Sequence, residues 1–187
     1  MGIALAYQEY LKAVLSEITY TLEDIEEESL LHLISMIDCA NTIVVCGAGR
    51  VGLAVRGFGM RLGHLGYRAY TLGDSVVPHL KEGDLLIVAS GSGETQTIYD
   101  VVKNAKGNGA KVSLISGQVG SRIHRLSDHL VLMKSPSKVS MERTSIQPMT
   151  TLNEQCVQIL FDLVVLMIME RTNQTHEDMW TRHSNLE

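Results

Sequence analysis

Between Thr42 and Met133, short apolar runs rich in β-branched residues alternate with segments of helical spacing. The runs are Thr42–Cys46 (TIVVC), Tyr67–Leu72, Leu85–Ala89 (LLIVA), Val112–Ile115 and His129–Met133. Helical spacing separates them over Val51–Leu65, about Glu94–Lys106 and a short stretch near Ser121–Leu126. Runs this short and this continuously apolar read as strands buried on both faces, the mark of a parallel sheet covered by helices. Right-handed crossovers then give a doubly wound arrangement. The expected fold is α/β, a three-layer αβα sandwich around a five-stranded parallel sheet, with helical extensions before and after it.

The extensions follow from the flanks. Leu5, Leu11, Val14, Leu15 and Ile18 keep helical spacing. Thr21 followed by Asp24 predicts the capped start of a second helix through Leu30, Leu33, Ile34 and Ile37. Ser135–Gln147 is polar and predicts a loop. A long helix is expected over Thr151–Glu170 and a short one over Thr175–Arg182. Its most apolar stretch, Cys156–Met169, is short for a bilayer and broken by Gln158 and Asp162, so it reads as a core helix. With 187 residues, 3 prolines and no linker-like tract, the chain reads as a single domain over residues 1–187.

Charge and cysteine content narrow the function. A net charge of -5 gives no basic footprint for nucleic acid. The beginning of the chain, MGIALAYQEYLK, lacks the basic flank of a signal peptide, so no membrane association is expected. Cys39, Cys46 and Cys156 fit neither a disulfide framework nor a zinc site, and they read as reduced, buried thiols of a cytoplasmic protein. His32, His79, His124, His129 and His176 fall into no metal spacing, and no metal is expected.

In doubly wound folds ligands bind beyond the carboxyl ends of the strands, so the turns after the strands carry the chemistry. The first, Gly47-Ala48-Gly49-Arg50-Val51-Gly52, matches a dinucleotide fingerprint, and Asp74 stands about the 20 residues onward where a ribose-binding acid is wanted. The same glycines also suit a plain strand-to-helix turn. The second turn, Ser90-Gly91-Ser92-Gly93-Glu94-Thr95, offers hydroxyls, glycine amides and a helix start, which together suit a phosphate. Its hydroxyls are also ordinary helix caps. Glu154 lies three residues after Thr151, the spacing of a capping box, and is equally a candidate base. His64 and His183 are candidates for proton handling, or simply residues near helix ends.

Taken together and in order, GAGRVG, FGMRLGHLG (58–66), EGDLLIVASGSGET (82–95), SIQPMTTLNEQ (145–155) and RHSNLE (182–187) resemble the sugar isomerase (SIS) domain family. SGSGET carries the resemblance to the family as a whole. The MRL-x-HLG, IQPM and RH-x-NLE stretches make the chain most similar to its 6-phospho-3-hexuloisomerase branch. That resemblance implies interconversion of D-arabino-hex-3-ulose 6-phosphate and fructose 6-phosphate in the ribulose monophosphate route of formaldehyde fixation. It implies no cofactor, a cytoplasmic homotetramer and sites near subunit interfaces. By position, Ser90, Ser92 and Thr95 would hold the phosphate, completed by Gly91, Gly93 and Glu94. Gly47 and Arg50 would face the sugar and Glu154 would be the base. His64 and His183 would serve the sugar oxygens, His183 from a neighbouring subunit. Val51 stands where the family often has Ser, Thr150 where it has Gly, and Asn153 where it has a bulky apolar residue. Other readings are an isomerase of another phosphosugar such as arabinose 5-phosphate, a non-catalytic phosphosugar sensor, or an NAD-dependent oxidoreductase that would use GAGRVG and Asp74.

Overall fold

The computed structural model describes residues 2–135 and 145–186, with side chains from residue 6 onward. Two helices open the chain, α1 (Gly2–Glu23) and α2 (Glu27–Cys39). Strands and helices then alternate: β1 (Ile43–Gly47), α3 (Gly49–His64), β2 (Ala69–Thr71), β3 (Leu85–Ala89), α4 (Gln96–Gly107), β4 (Lys111–Ser116) and β5 (His129–Leu132), with a 3-10 turn at His124–Leu126. The chain closes with α5 (Thr151–Thr172) and α6 (His176–Trp180). Of the expected loop over Ser135–Gln147, residues 136–144 lie outside the described residues.

All five strands are parallel, in the order β2-β1-β3-β4-β5. Successive strand residues point to opposite faces, and the two faces feed two cores. Val45, Ile87 and Ile115 join α2, α3 and α5 in the larger core. Val44, Cys46, Leu86 and Val88 join α4 in the smaller one. Both faces are therefore covered, which is why LLIVA is apolar at every position. In the larger core Phe58 of α3 stacks on Phe161 of α5 at 4.2 Å and 5°.

The strand order reverses between β1 and β3. Those strands pair in register to their last residues, Gly47 opposite Ala89. Such a switch point opens a crevice between two diverging strand-to-helix turns. Here the two turns are GAGRVG and SGSGET.

Three local expectations give way, the second of them only in its length. Thr21 does not cap α2: it lies buried within α1, and its hydroxyl donates to the Glu17 carbonyl at 2.9 Å. Helix α2 starts instead after Glu26, with no side-chain cap. The second concerns α5, which extends to 22 residues and is long and apolar enough to cross a membrane by composition alone. Its burial decides otherwise, because Cys156, Val157, Leu160, Phe161, Val164 and Ile168 are in the larger core. Cys46 and Cys156 are buried, and burial raises both thiols to about 11; Cys39 is exposed, unlike the expected buried thiol.

Candidate active site

The GAGRVG turn is tight because helix and strand touch. A side chain on Gly52 would place its Cβ 2.6 Å from the Gly47 carbonyl oxygen, and one on Gly47 would meet Val55 at 3.0 Å. Both glycines are thus needed for packing α3 against β1. Gly47 does not line the crevice, contrary to its expected place facing the sugar. Gly49 has φ +60 with open space around it, so it serves the backbone path, and it lines the crevice. Arg50 follows on the first turn of α3 and does line the crevice.

The SGSGET turn is built differently. Thr95 is the residue before α4, yet its side chain makes no capping bond. The Ser90 hydroxyl is 3.4 Å from that of Thr95, and Ser92 Oγ accepts the Glu94 N–H at 3.2 Å. Capping therefore does not account for these hydroxyls. Ser90, Gly91, Ser92 and Thr95 form one wall of the crevice, next to the start of α4 with its free N–H groups and positive dipole end. Gly93 and Glu94 are turned away from it. Gly93 has φ +63, and a Cβ there would lie 2.1 Å from the Ser121 hydroxyl. Glu94 accepts the Arg122 N–H at 2.9 Å and ion-pairs with its guanidinium at 3.2 Å. These two residues support the turn from behind.

The opposite wall is the start of α5. No capping box forms there: Thr150 is the N-cap residue and makes no side-chain cap. Among the described residues the capping box belongs to Thr175 and Asp178, at α6. Glu154 is left available for the crevice. Its Oε1 accepts the Thr150 hydroxyl at 2.9 Å, and its Oε2 ion-pairs with Arg50 Nη1 at 2.8 Å. The carboxylate is 13% exposed and the guanidinium 63%, so Arg50 keeps donors for a ligand. Arg50 also donates to the Thr151 hydroxyl at 3.3 Å.

Between the walls is a cavity of about 460 Å³, closed on one side by Pro148, Met149, Thr150 and Thr151. It brings together a fixed carboxylate, a guanidinium and a cluster of hydroxyls on a helix N-terminus. That set can bind an anion at one end of a small molecule and move a proton at the other. Asp74, the acid that a dinucleotide would need, is not among the lining residues and faces Arg56 at 4.0 Å.

His64 and His183 do not join this cavity. His64 lies about 21 Å from Arg50 along α3, at about 1.5 Å per residue, and His183 is beside it. There the two rings are 5.1 Å apart, and Trp180 stacks on His183 at 5.1 Å. With Arg61, Met169, His176 and Met179 they line a separate cavity of about 430 Å³.

The sequence reading missed Asn153 as a site residue. It is 1% exposed, donates to the Ser135 hydroxyl at 2.6 Å, and its amide packs 3.0 Å from where a Gly91 Cβ would be. The signal available was its departure from the family pattern, a short amide where a bulky apolar residue is usual.

A sequence model of the SIS domain family matches residues 36–159, which contain both turns and the start of α5. The chain belongs to the SIS domain family. It is 35% identical to the 3-hexulose-6-phosphate isomerase of Bacillus subtilis over 96% of this chain and 98% of that one. It is 34% identical to the enzyme of the same name from Methylomonas aminofaciens, over 95% and 98%. A Methanococcus jannaschii protein, whose crystal structure was taken to infer a 3-hexulose-6-phosphate isomerase function, superimposes with a TM-score of 0.84 at 32% identity, covering 96% of this chain and 99% of that one. The SIS match leaves α1 outside it.

Proposed function

We propose that the chain is a phosphosugar isomerase that interconverts D-arabino-hex-3-ulose 6-phosphate and fructose 6-phosphate through an enediol, in the cytoplasm. The observation that carries this reading is the Glu154 carboxylate, free of capping duty and facing the SGSGET wall across one cavity. The names and full-length similarity of the relatives support the substrate.

Ser90, Ser92 and Thr95 would bind the phosphate, with the N-terminus of α4 adding its dipole. That contact is remote from the reacting carbons and holds them in register. Glu154 takes the proton from C2 of the 3-ulose. The electrons form the enediol and the C3 oxygen gains a proton. Glu154 returns its proton to C3 while the C2 oxygen loses one, leaving the carbonyl at C2. Arg50, held on Oε2, aims the carboxylate and leaves donors for the sugar oxygens or phosphate.

The histidine pair enters through oligomerisation. Since His64 and His183 lie at the far end of α3, their service to the sugar requires a neighbouring subunit. Exposed Tyr7, Tyr10 and Leu15 on α1, Leu166 on α5 and Trp180 on α6 support a homotetramer with the sites near its interfaces.

The test is conversion of fructose 6-phosphate to the 3-hexulose phosphate by the unaltered chain and by Glu154→Gln. If both are inert while both bind the sugar phosphate, the isomerase reading fails. Mixed oligomers of Glu154→Gln and His183→Asn chains regain activity if His183 serves a neighbour's site, and stay inactive if it does not.

A further inference from the structure

One carboxylate of α1, outside the segment shared with the SIS family, reaches the site. Glu17 Oε2 accepts the Ser145 hydroxyl at 2.7 Å, and Oε1 accepts the Ile146 backbone N–H at 2.8 Å. The Gln147 side-chain amide donates to Oε2 at 3.3 Å, and the Gln147 N–H donates to Ser145 Oγ at 3.0 Å. Three consecutive residues are thereby fixed on one side chain. The next residues are Pro148 and Met149, which form the edge of the catalytic cavity.

Met149 has φ 57, a left-handed conformation that a non-glycine side chain disfavours. Its side chain is 86% exposed, so no packing of its own holds it there. A strained residue persists when its neighbours over-determine it. Downstream, the Thr151 hydroxyl donates to the Pro148 carbonyl at 2.8 Å and the α5 helix begins. Upstream, the clamp is Glu17. Beyond Met149 is Thr150, whose hydroxyl donates to Glu154. Ile18, the next residue of α1, lines a second cavity behind the Arg50–Glu154 pair.

We infer that Glu17 is a positioning residue for the isomerisation: it anchors residues 145–147, and through the strained Met149 it sets the aim of Thr150 on Glu154. The inference rests on the isomerase reading, with Glu154 as base. Partial burial raises the Glu17 carboxyl, but the hydrogen bonds from Ile146, Ser145 and Gln147 outweigh it and hold it below the usual carboxylate range, so the clamp is ionised at neutral pH.

The experiment compares Glu17→Ala and Glu17→Gln with the unaltered chain by steady-state kinetics and by amide hydrogen exchange. Glu17→Ala should lower kcat about 10-fold or more with KM changed less than about 3-fold, because the phosphate turn is untouched. Glu17→Gln, which keeps an acceptor for Ile146, should recover much of that loss. Exchange should quicken over residues 145–154 and stay unchanged in β3. Ser145→Ala, which leaves α1 intact, should lower kcat in the same sense and add little to Glu17→Ala, so a folding defect in one variant cannot imitate the result. Unchanged exchange over 145–154, or faster exchange with an unchanged kcat, overturns the inference. An unaltered chain that is inert on fructose 6-phosphate sinks the isomerase reading instead, and the exchange data still decide the clamp.

Discussion

The turns after β1 and β3 lie side by side and both are rich in glycine, yet they use it for different ends. In GAGRVG the glycines are taken up by the contact of α3 with β1. Gly47 and Gly52 meet each other and Val55, and only the backbone at Gly49 has room to spare. In SGSGET the hydroxyls face the cavity, Gly91 lines it close against Asn153 of α5, and Gly93 fits against Ser121 behind the turn. A fingerprint of glycines therefore reports close backbone approach, and what approaches can be a helix as readily as a ligand. Charged and hydroxyl side chains beside the glycines tell the two cases apart.

The largest effect that tests this contrast is at the carboxylate both turns face. Glu154→Gln should cut kcat by about 10²–10⁴-fold, the usual worth of a positioned base, with KM little changed; a smaller loss would detach the two turns from one reaction. Next comes the wall proposed to hold the phosphate. Ser90→Ala removes a hydroxyl from a charged ligand, a loss of about 1.5–3 kcal/mol, so kcat/KM should fall roughly 10- to 100-fold while the melting temperature holds. The first turn should answer in the opposite way. Gly52→Ala places a methyl against the Gly47 carbonyl and should destabilise the fold by about 1–3 kcal/mol in denaturant titration. Gly49→Ala meets nothing and should cost only about 1 kcal/mol of backbone strain. Equal losses at Gly49 and Gly52 would mean that packing is not what the glycines serve.

A region that serves neither turn sets the lower end of the scale. His129 on β5 has its pKa lowered to about 4, by burial first and then by the neighbouring His32, from an ordinary 6.5. The unfolded chain takes up this proton below about 6.5 and the folded chain only near 4, so stability should decline as pH falls through that window. Thermal melts of His129→Gln against pH should be shallower over the same range. An unchanged slope would move the effect to other groups.

The sheet was legible because its central strands, β1 and β3, are apolar along their length, a pattern that few other environments permit. Element ends shifted by one to a few residues, as they do where helices start without side-chain caps. Glu154 was legible only as an ambiguity. Its spacing from Thr151 is that of a cap, and only the ion pair with Arg50, 104 residues away in sequence, resolves it. The real capping box, at Thr175 and Asp178, has the same spacing, so spacing alone does not separate the two. Glu17 was not legible, because its partners are 128 to 130 residues distant and nothing local marks it. The separation of His64 from Arg50 was hidden for a simpler reason: residues of one helix are close in sequence terms even when they lie at opposite ends of it.

The stacking of Phe58 on Phe161 has a kinetic consequence. More than half the chain intervenes between the two rings. On the ribosome, the apolar flank of α3 must wait, uncovered, until α5 has been made, and loop closure over that span comes late in any refolding reaction. Glu154, the proposed base, is on the same late helix. Catalytic competence should therefore be among the last properties a refolding chain acquires, after the sheet has already paired.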